Sequence, residues 1–151
     1  MELDALLLEA ESEVLEEAYA ALGRSRPAHY EAAGEAFTRQ RLAELFELVV
    51  ASIRSRDLAE MSRFAERVAT ERFDQGFDIS EVQAAFNALE EAMWRRVVAA
   101  AAPEDLAEAT GLLSTVLGFG KDALARTYVS LASRRHVPSL DLTALFAGTD
   151  G

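Results

Sequence analysis

The 151-residue chain contains no cysteine, which excludes disulfides, zinc–thiolate sites and thiol catalysis. Histidine is scarce, at two residues, and proline almost as scarce, at three. The prolines, Pro27, Pro103 and Pro138, each fall between helical stretches. No alternating apolar and polar run is long enough for a strand. No apolar run is long enough to cross a bilayer. The chain opens Met1-Glu2-Leu3-Asp4, too acidic for a secretory leader. Basic residues are outnumbered, 15 against 26 acidic, which leaves a net charge of −11. Such a surface repels phosphate backbones and anionic lipid, so neither nucleic acid nor membrane is an expected partner. These absences fit a cytoplasmic protein.

Alanine, leucine, glutamate and arginine dominate, and all are good helix formers. Hydrophobic residues make up 50% of the chain, enough at this length to bury a core without metal or disulfide support. The expected fold is all-α, a single-domain bundle of about five main helices over residues 1–137. Residues 138–151 are expected to form a C-terminal tail with a short amphipathic helix, docking on the chain's own bundle or, alternatively, on a partner.

The first helix is expected from Glu2 to Leu22, with Leu3, Leu7, Val14 and Ala18 at helical spacing. The second covers Ala28 to Arg56, with a break near Gly34 and an apolar stripe of Leu42, Leu45, Phe46, Val49, Val50 and Ile53. Asp57-Leu58-Ala59-Glu60 has the form of a capping box for the third helix. The stretch ERFDQGFDIS, 71–80, then reads as a corner. Gly76 suits a left-handed C-cap, and either Asp78 (with Glu81) or Ser80 (with Gln83) can cap the next helix. Phe77 and Ile79 would fasten the corner to the core. The fourth helix runs from Glu81 to Ala102, and the fifth starts at Pro103 and reaches about Ser133.

Two surface patterns stand out. Gln83, Asn87, Glu90 and Trp94 fall at i, i+4, i+7 and i+11 on the fourth helix. They share a face that is either an ordinary boundary or a site for a polar ligand or partner. On the fifth helix Ala107, Gly111, Ser114, Gly118 and Ala125 form a small-residue stripe. Tight packing inside the bundle is the expectation there, with a dimer seam or a ligand-accommodating hinge, carried by Gly111, Ser114 and Gly118, as the alternative.

Catalytic constellations are lacking. His136 follows Arg134 and Arg135 at a helix end, where positive charge complements the helix dipole. His29 lies two residues after Pro27, in a first turn, unlike the mid-helix histidine of phosphotransfer bundles. No paired Glu-x-x-His motif exists for a di-iron site, and Gly118-x-Gly120-Lys121 lacks Walker spacing. No metal, cofactor or catalytic residue is therefore expected.

One stretch, RFDQGFDISEVQAAFNALEEAMWRRV, resembles the N-terminal sensor-like domain of RsbRD-type co-antagonist proteins of bacterial stressosomes. A related helical region occurs in some bacterial histidine kinases and PucR-like regulators. The pattern is an arginine before a glycine corner, then a helix with repeated hydrophobics; Arg72, Gly76, Val82, Phe86 and Leu89 match it. The resemblance extends from about Glu11 to Ala132. It implies a non-catalytic signal-transduction module that contacts a protein partner, itself as a homodimer, or a small ligand. The output domain that usually follows is not within these 151 residues, so either a stand-alone regulator or a sensor domain cut from a longer protein is expected. The competing reading is a small-molecule carrier or enzyme with a pocket between helices, lined by Asn87 and Glu90.

Overall fold

The structure, a computed structural model, describes residues 2–25 and 27–136. Among these residues there are seven helices and no strand: α1 (Leu3–Glu9), α2 (Glu11–Arg24), α3 (Ala28–Ala33), α4 (Glu35–Ser55), α5 (Ala59–Asp74), α6 (Ile79–Ala100) and α7 (Pro103–His136). The all-α expectation holds. The anticipated C-terminal helix within 138–151 lies outside the described residues.

Two of the five anticipated helices are each split in two. The first bends at Ala10 (φ −103°, ψ 12°), whose N–H turns to Leu7 O at 3.1 Å. The bend wraps one apolar stripe around the bundle: α1 buries Leu3 and Leu7, and α2 buries Val14, Ala18 and Leu22. Both pack on α4 and α6. The second breaks at Gly34 (φ 100°, ψ 166°), a conformation nearly closed to residues with a side chain. Thr38 Oγ1 donates back across this break to Gly34 O (3.0 Å) and Tyr30 O (3.3 Å).

The Asp57–Glu60 capping box does not form. Arg56 turns left-handed at the end of α4 (φ 58°), and the N-cap of α5 is Leu58, one residue later than the box requires. Asp57 instead accepts the Ala59 N–H at 2.9 Å.

The core is apolar and continuous, with Leu7, Phe46, Met61, Leu89, Met93, Leu117 and Leu124 among its fully buried side chains. α7, about 51 Å long at 1.5 Å per residue, packs on α4, α5 and α6. It runs parallel to α5, since Gly120 faces Met61 and the Tyr128 ring meets Phe73. It runs antiparallel to α6, joined through Ala101 and Ala102. The 71–80 corner, α3 and the far end of α7 therefore meet at one end of the bundle, where Tyr128 Oη donates to Phe77 O (3.3 Å) and His29 bonds Glu81.

Candidate functional site

The corner at Gly76 is built as its residue types dictate. Gly76 is left-handed (φ 85°). The Phe77 N–H donates to Arg72 O (2.9 Å) and the Gly76 N–H to Phe73 O (3.1 Å), which is the paired Schellman arrangement that closes a helix. Asp78 is the N-cap of α6 and forms the capping box with Glu81. Ser80, the other cap considered, lies inside α6 and is exposed. Phe77 is buried and Ile79 partly so.

Glu81 has a second role that sequence spacing does not reveal. One carboxylate oxygen accepts the His29 backbone N–H (2.9 Å), and the other lies 2.6 Å from His29 Nδ1. Desolvation pushes this carboxyl up, but donors from His29 and Asp78 outweigh it and hold it below the ordinary glutamate range. The pair ties α3 to the start of α6 across 52 positions of chain.

Behind the corner lies Arg72, only 1% exposed. Its guanidinium sits over the rings of Phe37 (4.8 Å) and Phe77 (5.5 Å), with Nη1 3.3 Å from Gln75 Oε1 and 3.6 Å from Glu71 Oε2. A planar, weakly hydrated guanidinium stacks between aromatic faces in a way a lysine ammonium does not. Burial raises both neighbouring tyrosine hydroxyls, Tyr30 and Tyr128, above the ordinary phenol value; Arg72 opposes the rise at each. The cluster is filled by its own rings and reads as a polar plug for the end of the bundle. A charged residue near a helix end reads as solvent-exposed in sequence; the available signal was the density of aromatics, Phe73 and Phe77, around it.

The second candidate region is the outer face of the α6–α7 hairpin. Lys121 Nζ donates to Asn87 Oδ1 (3.0 Å) and Glu90 Oε2 (2.9 Å). Asn87 and Glu90 are thus brought together by a lysine the sequence pattern did not include. Gln83 lies one turn before Asn87, half-buried, and Trp94 one turn after Glu90, 46% exposed. The Lys121 bonds fix the antiparallel register. One turn along from Glu90, Trp94 stands level with Gly118; Val98 stands level with Ser114.

The small-residue stripe therefore lies on this same face. Gly111 and Ser114 are exposed and Gly118 is half-buried. A Cβ at Gly111 or Gly118 would meet nothing within 4 Å. Among the described residues, nothing packs closely on Gly111 or Gly118, which lie on the side of α7 away from α4 and α5. The glycine that does permit close packing is Gly120. A Cβ there would come 2.8 Å from Met61 Sδ and 3.0 Å from Phe86 Cε2.

Cavities lie elsewhere. A groove of about 550 Å³ between α2 and α6 is floored by Ala20, Ala92 and Ala99 and rimmed by Glu13, Glu17 and Arg95. Another, of about 280 Å³, lies between α2 and α3 against Tyr19, Leu22 and Tyr30. Asn87 and Glu90 line neither. Among the described residues no three His, Asp or Glu side chains are grouped to hold a metal ion, and no helix is long and apolar enough to cross a membrane.

No curated protein and no solved structure matches the chain. A family model does, over residues 12–137, which takes in α2 to α7 with both the Gly76 corner and the α6–α7 face. With most of its length matched, this chain belongs to the family of the RsbT co-antagonist protein rsbRD N-terminal domain.

Proposed function

We propose that the chain is a non-catalytic, cytoplasmic signal-transduction module that works by binding protein through the outer face of α6 and α7. Family membership gives the signalling context. The observation that carries the reading is the placement of exposed apolar side chains. Four large ones are exposed among the described residues, Leu8, Trp94, Val98 and Val129. Three of them lie on this hairpin: Trp94 and Val98 one turn apart on α6, and Val129 in line with Gly111 and Gly118 on α7. Exposed apolar side chains gathered on one face mark a surface that is covered in use. Aromatic side chains such as tryptophan are the commonest anchors of such surfaces.

The competing reading, a carrier or enzyme with a pocket between helices, required Asn87 and Glu90 to line a cavity. Both are instead engaged by Lys121 at the surface. Native mass spectrometry of protein recovered from its host separates the two. Assemblies with protein mass and no small-molecule adduct are the expected result. A stoichiometric adduct of a few hundred daltons on a lone chain would replace this reading with the pocket one.

A further inference from the structure

We infer that the cavity between the starts of α1 and α7 and the end of α4 binds a small zwitterion, a free α-amino acid with a short aliphatic side chain. The cavity lies at the end of the bundle opposite the Gly76 corner. It is independent of the protein-binding reading of the α6–α7 face.

Backbone strain is the first observation. α4 closes on Arg56, held left-handed at φ 58° and ψ 29°, a conformation that glycine usually supplies at a helix end. Arg56 is the only residue other than glycine with a positive φ among the described residues. Its N–H donates to Ser52 O at 2.9 Å, a bond that glycine would make equally well. Its guanidinium is exposed and has no ion pair or hydrogen bond among the described residues. Strain kept without any return inside the chain points to a use for the side chain outside it.

The space beside it is the second. Arg56 lines a cavity of about 220 Å³. At ~30 Å³ per water this is room for about seven waters, or for a molecule of roughly six to eight heavy atoms. The floor is apolar, formed by the buried side chains of Leu3, Ile53 and Ala109. The rim carries both signs of charge. Arg54 and Asp4 satisfy each other at 3.0 Å. Arg56, Glu2 and Glu108 have no such partner among the described residues.

Charge selects the ligand. A guanidinium is a planar fork that takes a carboxylate through two parallel bonds, and the start of α7 adds the positive end of a helix dipole. A simple anion would also face four carboxylates, those of Glu2, Asp4, Asp105 and Glu108. A simple cation would face two guanidiniums and leave Arg56 unused. A metal ion lacks ligands, since no three acidic side chains among the described residues are grouped to hold one. An α-amino acid carries carboxylate and ammonium on one carbon. The first suits Arg56, the second suits Glu108 or Glu2, and a short aliphatic side chain suits the floor. Having no net charge, it is not repelled by a chain of −11. So small a ligand at an open rim is held with a dissociation constant of about 0.1–10 mM. It is lost on purification, and the native mass expectation above is unchanged.

An NMR titration of the isotope-labelled full chain tests the inference. L-Valine is expected to shift amides around 53–56 and 105–112 and to saturate below about 20 mM. Isovalerate, which lacks the ammonium, and isobutylamine, which lacks the carboxylate, are each expected to bind at least about tenfold more weakly, because each leaves a charged group of the rim without its partner. Arg56→Gly removes the fork and relieves the left-handed turn, so its fold is kept. Valine affinity is expected to fall at least about tenfold in it while the melting temperature does not fall. Glu108→Gln is expected to weaken valine but not isovalerate. No saturable shift with L-valine, L-alanine or glycine would overturn the site. So would a valine affinity untouched by Arg56→Gly, or isovalerate binding as tightly as valine. None of these outcomes bears on the α6–α7 face, which the native mass experiment tests by itself.

Discussion

Gly118 and Gly120 stand two residues apart on α7 and meet opposite surroundings. Gly120 presses on Met61 and Phe86, and any added side chain collides with the core. Gly118 faces open space. Both lower the helical propensity of α7 by about 1 kcal/mol relative to alanine, yet only one returns that loss as packing inside the subunit. On the proposed protein-binding reading, a glycine that packs against nothing among the described residues, on a face that also shows Trp94 and Val98, has its use in contact with a partner. That reading makes the inner and outer faces of α7 separable by what a substitution is expected to damage: stability on one, association on the other.

The largest effect expected is at Gly120. Gly120→Leu forces a branched side chain against the Phe86 ring, and overpacking of this kind costs about 3 kcal/mol. A thermal melt should show a large drop, while the residual folded protein keeps the oligomeric state of wild type. A Gly120→Leu protein that melts normally would remove the distinction between the two faces.

The Gly76 corner belongs with the inner face, since its helix-closing turn and its capping box are both completed within the chain. Gly76→Val places a β-branched residue at φ 85° and is expected to cost 1–2 kcal/mol, roughly the penalty for a left-handed non-glycine residue. Asp78→Ala removes the cap of α6 and should cost about 1 kcal/mol. Neither should alter association. The Glu81–His29 tie adds a pH signature. Glu81 ionises more readily in the folded chain than in the unfolded one. Its contribution is therefore complete above the ordinary glutamate range and drains away as pH falls below it. Wild type should lose more melting temperature between about pH 5 and pH 3 than Glu81→Gln does. Equal slopes would show that the tie carries no stability.

Much of this architecture was legible in the sequence because helical period, glycine and capping chemistry act locally. Gly76, Asp78 and the stripes of α4 and α6 are examples. The bend at Ala10 was not, because no glycine or proline marks it and only the curvature of the bundle requires it. The Asp57 box failed for a similar reason: the left-handed turn at Arg56 is set by how α4 meets α5 and shifts the cap by one residue. At the candidate face the period placed Asn87, Glu90 and Trp94 together. It could not supply Lys121, which arrives from another helix 31 positions after Glu90. Nor could it say which side of α7 the small residues face, since a stripe of small side chains carries no hydrophobic signal to orient it. Arg72 shows the same limit, because its burial depends on aromatic rings from α3, α4 and the corner that meet only in three dimensions.

The smallest effects expected sharpen the contrast between backbone need and side-chain need. Gly118 is a glycine that its own backbone does not require, being helical. Arg56 is the converse, a non-glycine residue held left-handed at φ 58° with its side chain exposed. Gly118→Ala should raise stability by up to about 1 kcal/mol through helix propensity alone. Arg56→Gly relieves a left-handed penalty of about 1 kcal/mol but adds roughly 0.5–1 kcal/mol of unfolded-state entropy, so a gain of a few tenths of a kcal/mol remains. Urea titration resolves the two as a clear and a marginal rise in midpoint at constant slope. A loss at Gly118→Ala would mean that the open side of α7 is closed within the chain, and the two faces of α7 would then be alike.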